Sequence, residues 1–241
     1  MNVEINSMNR YLYLKGFDEL DQVYIRLGNE GDCETIRELF EMSFPVNYDE
    51  EYYSSLRSQE YRGNRLIIWM AESFEQNTCN PVGCIVMQKR LLGSSNCDIH
   101  IIQRYSYDYA LYILNIAVFP KYKRRGIGSF LLQKAIEFAD NNQQCAGVYL
   151  NVQASNQGNI HFYEVNGFKC IMNVPGCLLF SEVYCVDTYI IDGHLEDSKL
   201  YFYPLHGALA TSSQLYSDGI PYLLFGVLFS FLLIAGYKII S

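Results

Sequence analysis

The sequence predicts an α/β fold in which a mixed central sheet carries helices on both faces, followed by an apolar helix at the C-terminus. Three observations predict it. Runs of β-branched and aromatic residues alternate with helically spaced apolar residues in the order β-α-α-β-β-β-α-β-α-β-β. One stretch, Ala110–Asn141, joins a buried strand to a helix through a basic, glycine-containing turn. Gly219–Tyr237 is a nineteen-residue run without a charge.

Taken in order, Val23–Leu27 alternates and reads as the first strand. Asp32 is placed to cap a helix through Phe40, apolar at Ile36, Leu39 and Phe40 and stopped at Phe44-Pro45. A second, acidic helix covers Asp49–Arg57. Between the two lies the aromatic loop Phe44-Pro45-Val46-Asn47-Tyr48, whose composition suits packing or binding. Leu66–Ala71 and Val82–Lys89 read as a hairpin across an Asn77–Pro81 turn, and polar Gly93–Tyr107 reads as a surface loop.

The central unit follows. Tyr112–Phe119 is a buried strand ended by Pro120, and Lys121–Arg125 is a basic turn. Gly126-Ile127-Gly128-Ser129 opens a helix with Ile127, Leu131, Leu132, Ala135, Ile136 and Phe138 at helical spacing, ended by Asn141-Asn142. Gly147–Val152 is a strand, Asn156–Asn166 a helix closed by Gly167, and Phe168–Val174 with Val183–Ile191 a final hairpin. Leu200–Gln214 reads as a semi-apolar, amphipathic segment. The chain then divides into an N-terminal extension (1–21), a folded domain (22–192), a linker (193–218) and an apolar segment (219–241).

Composition removes several classes of function. A net charge of −8 argues against nucleic acid as a partner, because phosphate neutralisation needs clustered Lys and Arg. Eight cysteines without a C-x-x-C pair, and four scattered histidines, argue against zinc or any other metal centre. Most of the thiols read as small packed hydrophobes in a reducing compartment. Met1–Ser7 is polar and carries no signal-peptide core.

The strand, glycine turn and helix start together make an anion site. Residues without Cβ let backbone N–H groups approach phosphate oxygens, and the helix dipole adds about half a positive charge there. The dinucleotide fingerprint would need a third glycine where Leu131 stands, and the P-loop would need Gly-Lys-Ser/Thr. Neither is present.

What remains, Lys123-Arg124-Arg125-Gly126-Ile127-Gly128, resembles the Q/R-x-x-G-x-G/A pyrophosphate loop of the GCN5-related N-acetyltransferases (GNAT), with Lys in the place of the first Arg or Gln. Asn151–Phe168 resembles the second half of the same signature, with Asn156 at a helix start, Phe162-Tyr163 beside the coenzyme, and Asn166-Gly167-Phe168 leading to the next strand. The resemblance implies the acyl-CoA N-acyltransferase fold and acetyl-CoA as co-substrate. Within the superfamily the chain is similar to the N-terminal (α-amino) acetyltransferases, in particular the membrane-associated NatF type. Phe44-Pro45-Val46-x-Tyr48, Tyr112-Ile113-Leu114, Gly126–Ser129, Tyr149-Leu150 and Ile160-x-Phe162-Tyr163-Glu164 carry that likeness.

Carried over residue by residue, the resemblance implies that Phe44, Pro45, Tyr48 and Leu114 meet the substrate amino end. Ile116, Ala117, Val118, Arg124, Arg125, Gly126, Ile127, Gly128 and Ser129 meet acetyl-CoA, and Asn156, Tyr163, Glu164, Val165 and Asn166 its pantetheine end. Tyr112 matches the tyrosine that helps to deprotonate the amine. Where the family places a histidine this chain has Asn151, which holds a water but cannot act as a base. An α-amino group with a pKa near about 8 makes only a modest demand on a base, so Tyr112 with a water held by Asn151 is the expected relay, and His161 the outside candidate. A backbone N–H near Val118 is expected to meet the oxyanion of a direct transfer.

At about 1.5 Å per residue, Gly219–Tyr237 spans roughly 28 Å, close to a bilayer core, with Tyr222 and Tyr237 at its two interfaces. It reads as a C-terminal anchor that leaves the catalytic domain in the cytosol, at a Golgi or ER membrane, acting on the N-termini of membrane proteins. The alternative for this segment is a buried or dimer-forming helix, which would make the chain a homodimer. The alternatives for the whole are a lysine (histone-type) acetyltransferase, a tethered acetyl-CoA binder with weak catalysis because of Asn151, and a small-molecule amine acetyltransferase.

Overall fold

The computed structural model describes residues 11–13, 22–45, 48–75, 78–92, 107–174, 190–191, 194–195 and 197–208. The expected 93–106 loop, strand 183–189 and C-terminal apolar helix lie outside the described residues. Among the described residues no helix is long and apolar enough to cross a membrane.

Strands β1 (Tyr11–Tyr13), β2 (Gln22–Leu27), β4 (Asn64–Glu75), β5 (Thr78–Leu91), β6 (Tyr109–Val118), β7 (Cys145–Gln153), β11 (Ser198–Pro204) and β8 (Lys169–Val174) lie side by side in that order. β3 (Glu60–Tyr61) pairs with β4, and β9 (Ile190–Ile191) pairs with β10 (His194–Leu195) in a separate ribbon. β6 and β7 are the parallel pair, and the other paired strands run antiparallel. The sheet is therefore mixed, as the sequence predicts.

Helices α1 (Cys33–Ser43) and α2 (Glu50–Ser58) cover one face, and α3 (Ile127–Asp140) and α4 (Gln157–Val165) the other. α1 turns Cys33, Ile36, Leu39 and Phe40 inward at helical spacing, onto Leu66, Ile68 and Met70 of β4. α3 turns in Ile127, Leu131, Leu132, Ala135 and Ala139, onto Leu111 and Ile113 of β6 and Val148 and Leu150 of β7. Two helices thus clamp the strands that carry the site from opposite sides.

Several local expectations are corrected. Asp32 does not cap α1 through its side chain. Asn29 caps the preceding 3-10 turn, while the Asp32 carboxylate accepts from Asn29 N (2.8 Å) and from both terminal nitrogens of Arg26 (2.8 and 2.6 Å). That guanidinium holds the Asp32 carboxyl below its ordinary range. Pro81 belongs to β5, at the bulge where the register slips between Ala71 and Glu72, which is where a strand tolerates proline.

The largest correction concerns the end of the domain. Ser198–Pro204, expected in an amphipathic linker, is a strand inserted between β7 and β8, with Leu200, Tyr201 and Phe202 each 1% exposed. Both of its faces are covered, so the alternation that announces a half-buried strand is missing. β8 is paired along one edge with this strand, and the hairpin partner expected for it at 183–189 lies outside the described residues.

Candidate active site

The chain leaves β6 through the 3-10 turn Pro120–Tyr122 and reaches α3 over Lys123–Gly126. Arg124 (φ 65°) and Gly126 (φ 87°) both lie in the left-handed region. Such a sequence of conformations turns successive N–H groups towards one concave side and makes a nest for an anion. Glycine adopts it freely; Arg124 holds it at about 1–2 kcal/mol.

α3 begins without a side-chain cap and without an acidic residue in its first turn. By contrast, Asp49 caps α2, which carries Glu50 and Glu51 in its first turn, and Asn156 caps α4 by accepting from Asn159 N at 3.0 Å. The N–H groups of Ile127, Gly128 and Ser129 are thus the ones left for an external anion. A Cβ at Gly128 would stand 3.2 Å from Phe162 Cζ, so glycine here lets α4 close against the mouth of α3.

Beside this mouth the sheet opens. β6 and β7 pair at Tyr109–Cys145, Leu111–Val148 and Tyr112–Tyr149, and past Tyr112 no ladder joins them among the described residues. β6 runs on to Val118 against β5, and β7 runs on to Gln153 against β11. Phe119 N donates to Val82 O (2.9 Å), which makes Gly83–Val118 a non-hydrogen-bonded pair. The N–H and C=O of Val118, and by alternation those of Ile116, therefore point away from β5 into the opening. Ile116 and Val118 pack their side chains on the α3 side, and Ala117 faces α1 and α2.

Tyr112 stands at the closed end of the opening. It is 2% exposed, its ring lies 4.8 Å from that of Tyr149, and the Arg90 guanidinium carbon lies 3.7 Å from its centroid. Asn151 Nδ2 reaches the Tyr112 hydroxyl at 3.5 Å. Arg90, itself buried, donates from Nε to Gln88 Oε1 (2.8 Å), and Gln88 donates to Tyr61 O (2.7 Å). The phenol, the carboxamide and a buried cation thus share one layer of the sheet.

The aromatic segment forms the other lip. Phe44 packs edge-on to Phe40 (5.2 Å), and Tyr48 stacks on Tyr52 (4.9 Å), while Pro45 is exposed. β6 bulges between Ile113 and Asn115, so Leu114 has no partner on β5 and packs against both the α1/α2 cluster and the Tyr112 cluster. Val46 and Asn47 lie outside the described residues.

On α4, Tyr163 is buried against Phe162 (5.1 Å) and Phe168 (5.8 Å). Glu164 accepts from the Tyr201 hydroxyl (2.8 Å), a bond that together with burial raises the pKa of that phenol. Asn166 Nδ2 donates to Phe162 O (2.7 Å), and Val165 is exposed. Glu164 and Asn166 therefore spend at least part of their polar capacity fixing α4. His161 is exposed on the same helix, and it is Asn151 that reaches Tyr112.

Residues 33–168 match the Acetyltransferase (GNAT) family. The chain belongs to this family. A GNAT enzyme uses acetyl-CoA as its co-substrate, and the nest, the bare helix mouth and the opened strand pair fit a diphosphate followed by an amide-bearing arm.

The curated relatives that cover most of the chain include the following two. Histone acetyltransferase MCC1 of Arabidopsis thaliana is 25% identical over 83% of this chain and 77% of its own length. N-alpha-acetyltransferase 60 of Danio rerio is 26% identical over 78% of this chain and 72% of its own. The crystal structure of Arabidopsis thaliana NAA60 with a bisubstrate analogue superposes with a TM-score of 0.61 at 25% identity, covering 77% of this chain and 99% of that one. Among the described residues no group of three or more His, Cys, Asp or Glu is placed to hold a metal ion.

Three polar residues of this GNAT site escaped the motif reading: Gln88, Arg90 and Asn115, which are 2%, 2% and 7% exposed. Asn115 is a polar residue in an otherwise apolar run, the exception to hydrophobic burial that draws notice, whereas Gln88 and Arg90 flank Lys89 at a polar end of β5 and only the sheet shows them buried.

Proposed function

We propose that the chain is an N-terminal (α-amino) acetyltransferase that passes acetyl directly from acetyl-CoA to the free amino end of a protein. The observation that carries this reading is the opening of β6 from β7 past Tyr112, between the uncapped mouth of α3 and the lip of Phe44 and Tyr48. Similarity to N-alpha-acetyltransferase 60 supports it.

In this mechanism the nest at Arg124–Gly126 and the N–H groups of α3 hold the diphosphate, and the gap-facing groups of Ile116 and Val118 align the arm that follows. Arg125 and Ser129 flank that anchorage, and Asn156 and Tyr163 border the arm from α4. Phe44, Pro45, Tyr48 and Leu114 receive the amino end. The amine nitrogen attacks the thioester carbonyl, its proton passes by a water held at Asn151 to the Tyr112 oxygen while the Tyr112 hydroxyl proton passes on towards the sulfur, and the C–S bond breaks to release coenzyme A as the thiol. The Val118 N–H meets the oxyanion. Holding both reactants in one cleft removes much of the entropic barrier, and no covalent enzyme intermediate is needed.

We further propose that 219–241 anchors the enzyme to a Golgi or ER membrane, with the catalytic domain in the cytosol and the amino ends of membrane proteins as substrates. The charge-free run Gly219–Tyr237 supports that reading.

Similarity to a protein named as a histone acetyltransferase favours a second reading, transfer to lysine side chains. Paired peptides decide between them. Transfer to a free-amino peptide, lost when that amine is blocked while an internal lysine remains, is the expected result; equal transfer to the blocked, lysine-containing peptide overturns the proposal.

A further inference from the structure

We propose that Asn115 is a positioning residue for the substrate amino end, acting through Tyr48; this rests on the function proposed above. Asn115 follows the bulge of β6, three positions beyond Tyr112, and its side chain enters the face covered by α1 and α2. A carboxamide buried at 7% exposure is costly unless its polar atoms are satisfied. Both are. Its Oδ1 accepts from the Tyr52 hydroxyl, and its Nδ2 donates to the Tyr48 hydroxyl at 2.7 Å.

These two bonds join β6 to α2 and to the lip. Tyr52 is 5% exposed within α2, whereas Tyr48 is half-buried at the lip, in front of the Asp49 cap. Ring stacking sets the Tyr48–Tyr52 separation at 4.9 Å with 30° between planes, but stacking leaves a ring free to slide. The bond from Asn115 fixes the phenol oxygen relative to β6, the strand that also carries Leu114 and the gap-facing groups of Ile116 and Val118. The lip that receives the substrate and the strand that aligns the coenzyme are thus held in register by one amide.

Losing a buried hydrogen bond of this kind predicts about a ten-fold rise in peptide KM for Asn115→Leu, with kcat within about two-fold and acetyl-CoA KM unchanged. Tyr48→Phe, which keeps the ring and removes the bonded oxygen, has the same signature. Combined, the two substitutions cost no more than Asn115→Leu alone, because the bond that Tyr48→Phe removes is already lost with Asn115. The role is overturned by an unchanged peptide KM in Asn115→Leu, by a loss confined to kcat, or by multiplying effects in the double variant.

Should Asn115→Leu also lose acetyl-CoA binding, Asn115→Ser, too short to reach the Tyr48 oxygen, takes its place with the same expectations. Should the wild-type enzyme prefer a lysine side chain, the function proposed above fails, and the same variants assayed on that lysine peptide still decide whether Asn115 positions the acceptor.

Discussion

Tyr112 and Tyr149 form the last cross-strand pair between β6 and β7, and their rings meet 4.8 Å apart at the closed end of the opening between the strands. The pair does two things. It ends the parallel ladder, so that the backbone groups of Ile116 and Val118 face the opening rather than a neighbouring strand, and it packs the Tyr112 ring against Tyr149, with the Arg90 guanidinium over its face. So packed, the phenol keeps its hydroxyl within reach of Asn151, 3.5 Å away.

Tyr112→Phe keeps the ring packing and removes only the hydroxyl. A general base is worth about 10²–10⁴ in rate, and the lower end applies to an amine whose own pKa is near 8. We expect kcat at pH 7 to fall about a hundred-fold with acetyl-CoA affinity intact, and the deficit to shrink above about pH 8, where the amine is already neutral. Asn151→His supplies an ionisable group at the same place and is expected to raise activity at neutral pH. Steady-state rates across pH 6–9 test both.

The coenzyme loop makes a sharper demand on backbone shape than on charge. Gly126→Val forces a β-branched residue to φ 87°, and Gly128→Val drives its side chain into Phe162, whose Cζ would already lie 3.2 Å from a Cβ. Each is expected to weaken acetyl-CoA binding at least ten-fold, about 1.4 kcal/mol, in calorimetry, while Lys123→Ala changes it little.

Transfer by way of a protein thiol is disfavoured by where the described cysteines sit. Burial pushes the Cys145 thiol up to about 11, raises Cys84 further and raises Cys33, so their thiolates are scarce at neutral pH. Cys79 and Cys170 are exposed. At pH 7.5 an alkylating reagent is expected to modify Cys79 and Cys170 and to spare Cys33, Cys84 and Cys145. Mixing enzyme with acetyl-CoA in the absence of acceptor is expected to release no stoichiometric burst of coenzyme A; such a burst would establish an acyl-enzyme.

The strand, turn and helix from Tyr112 to Asp140 and the cap of α4 were legible in the sequence because local chemistry dictates them: β-branched residues on a buried strand, a glycine at Gly126 where φ is positive, Asn156 before α4. Asn115 and Arg90 were not, because what each touches comes from which strand lies beside which: a single polar residue within Tyr112–Phe119 carries no motif, and Arg90 lies one position past the strand read at Val82–Lys89. β11 was hidden for a related reason. With Leu200, Tyr201 and Phe202 all inside, its pattern is that of any apolar run, and its place between β7 and β8 is decided by a long-range return of the chain.

That return sets where the catalytic domain can be cut. β11 fills the space between β7 and β8, and Leu205 N continues the join by donating to Ala146 O at 3.0 Å. A chain ending at Asp192 would expose the β7 and β8 edges and forfeit the burial of Leu200, Tyr201 and Phe202. At about 1.5–3 kcal/mol for each side chain, that loss is comparable with the whole stability of a domain. We expect a chain ending at Asp218 to remain soluble, to unfold cooperatively and to bind acetyl-CoA like the full-length protein, and one ending at Asp192 to do none of these. Vesicle flotation completes the test: if 219–241 is the anchor, the full-length protein floats with the lipid and the chain ending at Asp218 stays at the bottom with its acetyl-transfer activity intact.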